Sequence, residues 1–205
     1  MYTISGNSSD EFKIKGSLFK SYTFEVNNIL DVKKYISQLE KKFPDASHIC
    51  YAYRICNIDN LDMFYNPEII ELFNDDGEPS STAGKPILNV LKKSEVVNRI
   101  VFVIRYFGGT KLGINGLIES YKYAAELVVL NTNYQKWILY KNIDLNFEYK
   151  FNKSIKSLIS DYEGKIIKSN FTESIFLSVK IPNKNLNQFK NKIIEKTNGT
   201  ISILK

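Results

Sequence analysis

The last third of the chain carries the pattern that most restricts its fold. Ile143, Leu145, Phe147 and Tyr149 alternate with polar residues, the period-two signature of a strand with one buried face. Phe151, Ile155, Leu158, Ile159 and Tyr162 then recur at helical spacing, and Glu163-Gly164 turns the chain into a short strand at Lys165 to Lys168. A second alternating run, Ile175, Leu177, Val179 and Ile181, leads to a helix bearing Leu186, Phe189 and Ile193, the turn Asn198-Gly199 and a last strand with Ile201 and Ile203. The order βαββαβ specifies a ferredoxin-like unit, with two helices on one face of a four-stranded antiparallel sheet. Its other face is partly solvated and available to a partner.

Upstream the periodicities are more varied. Tyr22, Phe24 and Val26 alternate with Thr23 and Glu25, whereas Val32, Tyr35, Ile36, Leu39 and Phe43 follow three-four spacing until Pro44 stops the helix. Ser47 to Ile55 and Ile69 to Phe73 read as strands, with Asn57 to Pro67 as a loop. The hydroxyls of Ser80, Ser81 and Thr82 are placed to cap a helix reaching Lys93. Ile100 to Ile104 is uniformly apolar, as befits a central strand covered on both faces. A glycine loop, Gly108 to Gly113, follows, and Leu117, Tyr121, Ala124, Ala125 and Val128 mark a helix to Leu130. Periodic structure lapses at Asn131-Thr132-Asn133, so the expected domains are residues 1–131 and 132–205.

Charge changes sign at the same place. Residues 1–131 hold 15 Lys and Arg against 16 Asp and Glu, a net of −1, while residues 132–205 hold 13 Lys against 6 acids, a net of +7. A basic tail of this kind attracts RNA or another polyanion, because lysines displace counterions from phosphates; scattered lysines also serve simply to solubilise a surface. The longest apolar run, Ile100 to Ile104, is far shorter than a membrane span, and Met1 to Asp10 lacks a charged start followed by an apolar stretch. A cytoplasmic location without membrane attachment is expected. With Cys50 in the strand and Cys56 at its end, the two point to the same face but lie too far apart to bridge, so reduced thiols are expected.

Three clusters have residue types that carry chemistry. In the first, Asp75, Asp76 and Glu78 form a candidate acidic site, and Ser80, Ser81, Thr82 and Lys85 a candidate anion site at a helix N-terminus. The alternative is a turn shaped by Gly77 and Pro79, with hydroxyls capping the helix and acids favouring its positive end. In the second, Gly108 and Gly109 allow close approach of backbone to phosphate, Arg105 and Lys111 supply charge, and Tyr106 offers a ring for stacking. Neither GxxxxGK[ST] nor GxGxxG is present, which disfavours a nucleotide hydrolase. In the third, His48 and Cys50 share a strand face as a candidate polar pair; two ligands do not make a zinc site, and a structural histidine beside a buried cysteine is the simpler reading.

Taken together, Lys15 to Phe19 (KGSLF), His48 to Arg54 (HICYAYR), Asp75 to Ser80 (DDGEPS), Thr82-Ala83-Gly84, Arg105 to Gly109 (RYFGG) and Lys111-Leu112-Gly113 resemble the YigZ/IMPACT family in order and spacing. The resemblance covers residues 11 to 130, and the ferredoxin-like tail resembles the second domain of bacterial members. Ser81 stands where the family usually has glycine, and Ile114-Asn115 where smaller residues are usual. The resemblance implies an α+β protein, with an N-terminal α/β domain similar to ribosomal protein S5 domain 2 and a ferredoxin-like βαββαβ domain after it. It also implies a part in translation, since eukaryotic members are implicated in regulating translation under amino-acid starvation. The expected function is non-catalytic, translation-associated binding of RNA, the ribosome or a translation-regulatory protein, with no cofactor and no metal. The alternative is a hydrolase-like enzyme acting on a phosphorylated or peptide substrate through Asp75, Asp76 and Glu78.

Overall fold

The computed structural model describes residues 1–61 and 67–204. The first compact unit, Met1–Trp137, contains β1 (Tyr2–Ile4), β2 (Ser8–Ile14), β3 (Ser17–Glu25), α1 (Ile29–Lys42), β4 (His48–Leu61), β5 (Pro67–Asn74), α2 (Gly84–Lys93), β6 (Arg99–Tyr106), α3 (Gly113–Leu130) and β7 (Tyr134–Lys136). The second, Ile138–Lys205, contains β8 (Tyr140–Phe147), α4 (Asn152–Asp161), β9 (Lys165–Phe171), β10 (Ile175–Pro182), α5 (Leu186–Lys196) and β11 (Ser202–Leu204). The boundary expected after Asn131 falls before the division, because Tyr134–Lys136 pairs antiparallel with β1 and so stays with the first unit.

In the first unit, β2, β3, β6, β4 and β5 form an antiparallel five-stranded sheet in that order. Central β6 is buried on both faces, which accounts for its uniformly apolar run. Val101 and Val103 face α2 and α3 with Phe19, Cys50 and Ala52, whereas Ile100, Phe102 and Ile104 face α1 with Val26, Tyr53 and Ile55. Three layers result. Each fully buried Ile or Phe in them contributes about 1.5–3 kcal/mol over leaving it in water. Helix α1 begins where the Asn28 side chain accepts the N–H of Asp31 at 3.0 Å and ends at Phe43, ahead of Pro44.

Two expectations are revised. The polar opening segment forms two strands, β1 and β2; the latter is an edge strand whose residues are mostly exposed, so it has no apolar alternation to announce it. Of the loop expected over Asn57 to Pro67, β4 claims the residues through Leu61 and β5 begins at Pro67, while residues 62–66 lie outside the described residues.

The second unit has the sheet order β11-β8-β10-β9, the ferredoxin-like arrangement. Ile143, Leu145, Phe147, Ile175, Leu177, Val179 and Ile181 pack against Ile155, Leu158 and Ile159 of α4 and Phe189 and Ile193 of α5. The alternate residues of β8 and β10 face away from the helices. The chain is therefore α+β, an S5 domain 2-like α/β unit followed by a ferredoxin-like one.

Candidate functional site

The start of β4, the β5–α2 connection and the end of β6 meet at one place, because His48 pairs with Arg105 across the sheet. Asp75 leads the connection. Its Oδ1 accepts the N–H groups of Ala83 and Gly84 at 3.0 and 2.8 Å, and its Oδ2 accepts that of Ser81 at 2.8 Å. The carboxylate thus caps α2 and sits at its positive end. The expectation that the Ser80, Ser81 and Thr82 hydroxyls do this is corrected: Thr82 Oγ1 instead donates to the Pro79 carbonyl at 2.6 Å, and Ser80 is exposed. Left-handed backbone at Asp76 (φ 44°), Gly77 (φ 83°) and Ser81 (φ 62°) curls the connection tightly enough for Asp75 to reach the helix. Ser81 occupies a conformation that glycine adopts without strain, which is the residue expected there.

Asp76 is tied to β4. Its Oδ2 accepts the Ile49 N–H at 2.6 Å, and its carbonyl is 2.7 Å from His48 Nδ1, which must carry the proton since a carbonyl only accepts. Cys50 Sγ donates to the Asp75 carbonyl at 3.0 Å. His48 and Cys50 share a sheet face as expected, yet each is spent on the backbone of the acidic turn rather than on the other. Burial pushes the Cys50 thiol far above its ordinary value, the negative charges of Glu78, Asp76 and Asp75 adding to the effect while a contact with Tyr121 opposes it. Such a thiol is a poor nucleophile.

Glu78 is the innermost of the acids, 8% exposed, and its Oε1 accepts from Arg105 Nη1 at 2.5 Å and from the Tyr121 hydroxyl at 2.8 Å. His48 Nε2 lies 3.9 Å from the same oxygen. The Arg105 guanidinium, in a residue 5% exposed, lies over the rings of both Phe19 and Phe107 at about 5.5 Å. Burial, with Cys50 and Glu78 beside it, pushes the Tyr121 hydroxyl far above its ordinary range, so it donates permanently. Arg105 and Glu78 neutralise one another inside the fold. Tyr121 is the member of this network missed by sequence reasoning: its helical spacing marked it as core, and nothing local announced a partner for its hydroxyl.

The remaining candidates lie apart from this network. Gly108, Gly109 and Lys111 are exposed in the loop after β6. Gly108 rests on the β2–β3 turn, where a Cβ would sit 1.8 Å from the Gly16 carbonyl carbon, so its glycine is explained by backbone contact within the chain. Tyr106 turns to the α1 side, its hydroxyl 3.4 Å from Asp45. Ser81 and Lys85 line a groove between α2 and α3. Among the described residues no three of His, Cys, Asp and Glu converge as a metal site, and no helix is long and apolar enough to cross a membrane.

In the second unit, the sheet face away from the helices gathers polar and basic side chains. Cross-strand pairs join Phe176 to Asn146 and Asn170, Ser178 to Asp144 and Lys168, and Lys180 to Asn142 and Lys165. Lys180 Nζ lies 5.1 Å from the Tyr140 ring centroid. Two half-exposed rings, Phe176 and Tyr140, share this surface with three lysines, three amides and the carboxylate of Asp144.

The two units and the acidic turn define a class of two-domain α+β proteins, and comparison with known proteins gives that class its family. The Impact N-terminal domain model matches residues 15–129, and a domain of unknown function, DUF1949, matches residues 145–200. The chain belongs to the IMPACT family. It is 29% identical over 192 residues to IMPACT family member YigZ of Escherichia coli (strain K12), covering 94% of this chain and 91% of that protein. It is 28% identical over 202 residues to IMPACT family member YvyE of Bacillus subtilis (strain 168), covering 98% and 89% respectively. A crystal structure described only as that of a hypothetical protein superposes with a TM-score of 0.65 at 27% identity, covering 99% of this chain and 95% of that one.

Proposed function

We propose that the protein acts in translation by binding RNA or the ribosome in the cytoplasm, without transforming a substrate. The observation that carries this reading is the open face of the second unit's sheet, where Phe176 is flanked by Asn146 and Asn170, and Lys168, Lys180 and Lys165 follow farther along the same exposed or half-exposed strands. Lysines there neutralise phosphates, the Phe176 ring offers a stacking surface, and the Asn142, Asn146 and Asn170 amides supply donors and acceptors for base edges. The net of +7 over residues 132–205 adds long-range attraction. Family resemblance supplies the translational setting.

The hydrolase alternative has little to work with. Asp75 is spent on three backbone N–H groups, Asp76 on the β4 backbone, and Glu78 on Arg105 and Tyr121. Each carboxylate of the turn already has a structural partner, so general-base work would compete with the contacts that hold the turn. Arg105, for the same reason, is not offered to phosphates, and among the residues of its loop Lys111 alone retains an exposed positive charge.

The test is ribosome co-sedimentation and filter binding of labelled RNA, with and without nuclease, across salt concentrations. Association that disappears with nuclease and falls steeply with salt is expected. Absence of binding at low salt, or binding insensitive to nuclease, contradicts the reading.

A further inference from the structure

The first unit has a second surface, which begins at Ser81 beside the acidic turn and runs along α2 away from it. Helices α2 and α3 bound a groove of about 750 Å³, closed at one end by Tyr2 of β1 and Tyr134 of β7. Pro86 and Val90 of α2 form one apolar wall, and Ile118 and Leu130 of α3 the other. Leu130 is 52% exposed and Tyr2 42% exposed, an unusual investment of large apolar side chains in water.

The rim is basic. Lys85 and Lys93 lie eight residues apart on α2, about 12 Å at the helical rise, and make no ion pair among the described residues. On α3, Lys122 makes an exposed contact with Glu119 at 3.2 Å, and Glu126 is the one acid among the described residues that line the groove. These charges are strung along two helical turns instead of converging on a point, so they match a row of carboxylates better than one anionic head group. A trough between two helices, apolar at its floor and charged along its edges, takes an amphipathic helix, whose leucine-type residues at three-four spacing fill the floor.

We propose that the α2–α3 groove is a docking site for an acidic amphipathic helix of a partner protein, with apolar residues on Pro86, Val90, Ile118 and Leu130 and carboxylates opposite Lys85 and Lys93. The groove belongs to the first unit and the proposed RNA-binding sheet to the second, and the two readings stand or fall independently because their probes differ.

The experiment uses fluorescence anisotropy with the full chain and two labelled synthetic 16-residue peptides. Each carries leucines along one helical stripe, flanked by glutamates in one peptide and by lysines in the other. The glutamate peptide is expected to bind at least tenfold more tightly than the lysine peptide. In the exposed double variant Lys85→Glu/Lys93→Glu the preference inverts, and Leu130→Ser weakens both peptides several-fold while leaving thermal unfolding unchanged. Equal binding of the two peptides, no binding of either up to millimolar concentration, or a preference unchanged in the double variant overturns the proposal. So does displacement of the bound peptide by a single-stranded RNA 12-mer, or a concentration-dependent dimer that the peptide dissociates, since those outcomes assign the groove to RNA or to a second copy of the chain.

Discussion

The two units use charge in opposite ways. Every charged side chain that is buried, Glu78, Arg99 and Arg105, belongs to the first unit, whereas Thr197 is the one buried polar side chain of the second unit among the described residues. In the first unit ionised groups hold strands and helices in register from within. In the second the buried residues carry no charge, and the lysines stand outside, several of them paired with neighbouring glutamates. An apolar core is the cheaper way to stabilise a fold, so the Glu78–Arg105 pair inside the first unit is best understood as fixing geometry, while the exterior lysines of the second are the charges that the proposed binding uses.

The contrast is most exposed to disproof at Glu78. Glu78→Ala leaves Arg105 buried without its counter-charge and Tyr121 without an acceptor, and should cost about 3–5 kcal/mol in denaturant unfolding. The same substitution at a surface carboxylate of the second unit, Glu173→Ala, should stay within about 0.5 kcal/mol. Arg99 sharpens the comparison by inverting its sign. This residue is fully buried, its three guanidinium nitrogens have no hydrogen-bond partner among the described residues, and burial lowers its pKa. Arg99→Met is expected to stabilise the protein by about 1–4 kcal/mol, because nothing is orphaned by removing it. A loss of stability instead would show that the guanidinium has a partner in solution.

Smaller effects follow elsewhere in the first unit. Asp75→Ala removes the cap of α2 and should cost about 0.5–2 kcal/mol, with Asp75→Asn recovering part of it. Cys56 is expected to matter only in alkali. Burial pushes its thiol from an ordinary value near 9 up to about 11, with Arg54 opposing the shift. The folded state thus favours the protonated form, so its contribution is complete below pH 9 and is lost as pH rises through 11. Unfolding midpoints measured at pH 8 and pH 10.5 should drop more in the wild type than in Cys56→Ala. Both cysteines are free and buried, so neither should react with a thiol reagent until the chain unfolds.

What the sequence made legible follows the same division. The second unit could be read strand by strand because a sheet with one covered face writes its orientation as alternation: Ile175, Leu177, Val179 and Ile181 inward, hence Phe176, Ser178 and Lys180 outward. In the first unit the covered central strand was equally plain, but β2 was not, since an exposed edge strand has no apolar signature. The cap of α2 was assigned to hydroxyls adjacent to the helix, as local rules direct. The actual donor of that service, Asp75, lies farther back in the chain and arrives only because residues 76, 77 and 81 take left-handed backbone angles. The pairing of Glu78 with Arg105 and Tyr121 spans 27 and 43 positions and rests on the sheet register, which no local pattern encodes. The α2–α3 groove was illegible for the same reason.

The second unit's open sheet face is the proposed RNA-binding surface. The most direct measurement is the slope of log Kobs against log salt for a labelled single-stranded RNA, in the wild type and in Lys165→Ala/Lys168→Ala/Lys180→Ala. Loss of three phosphate contacts should reduce the magnitude of the slope by about 2, with weaker binding at every salt concentration and unchanged stability. An identical slope and affinity in the triple variant would contradict the account.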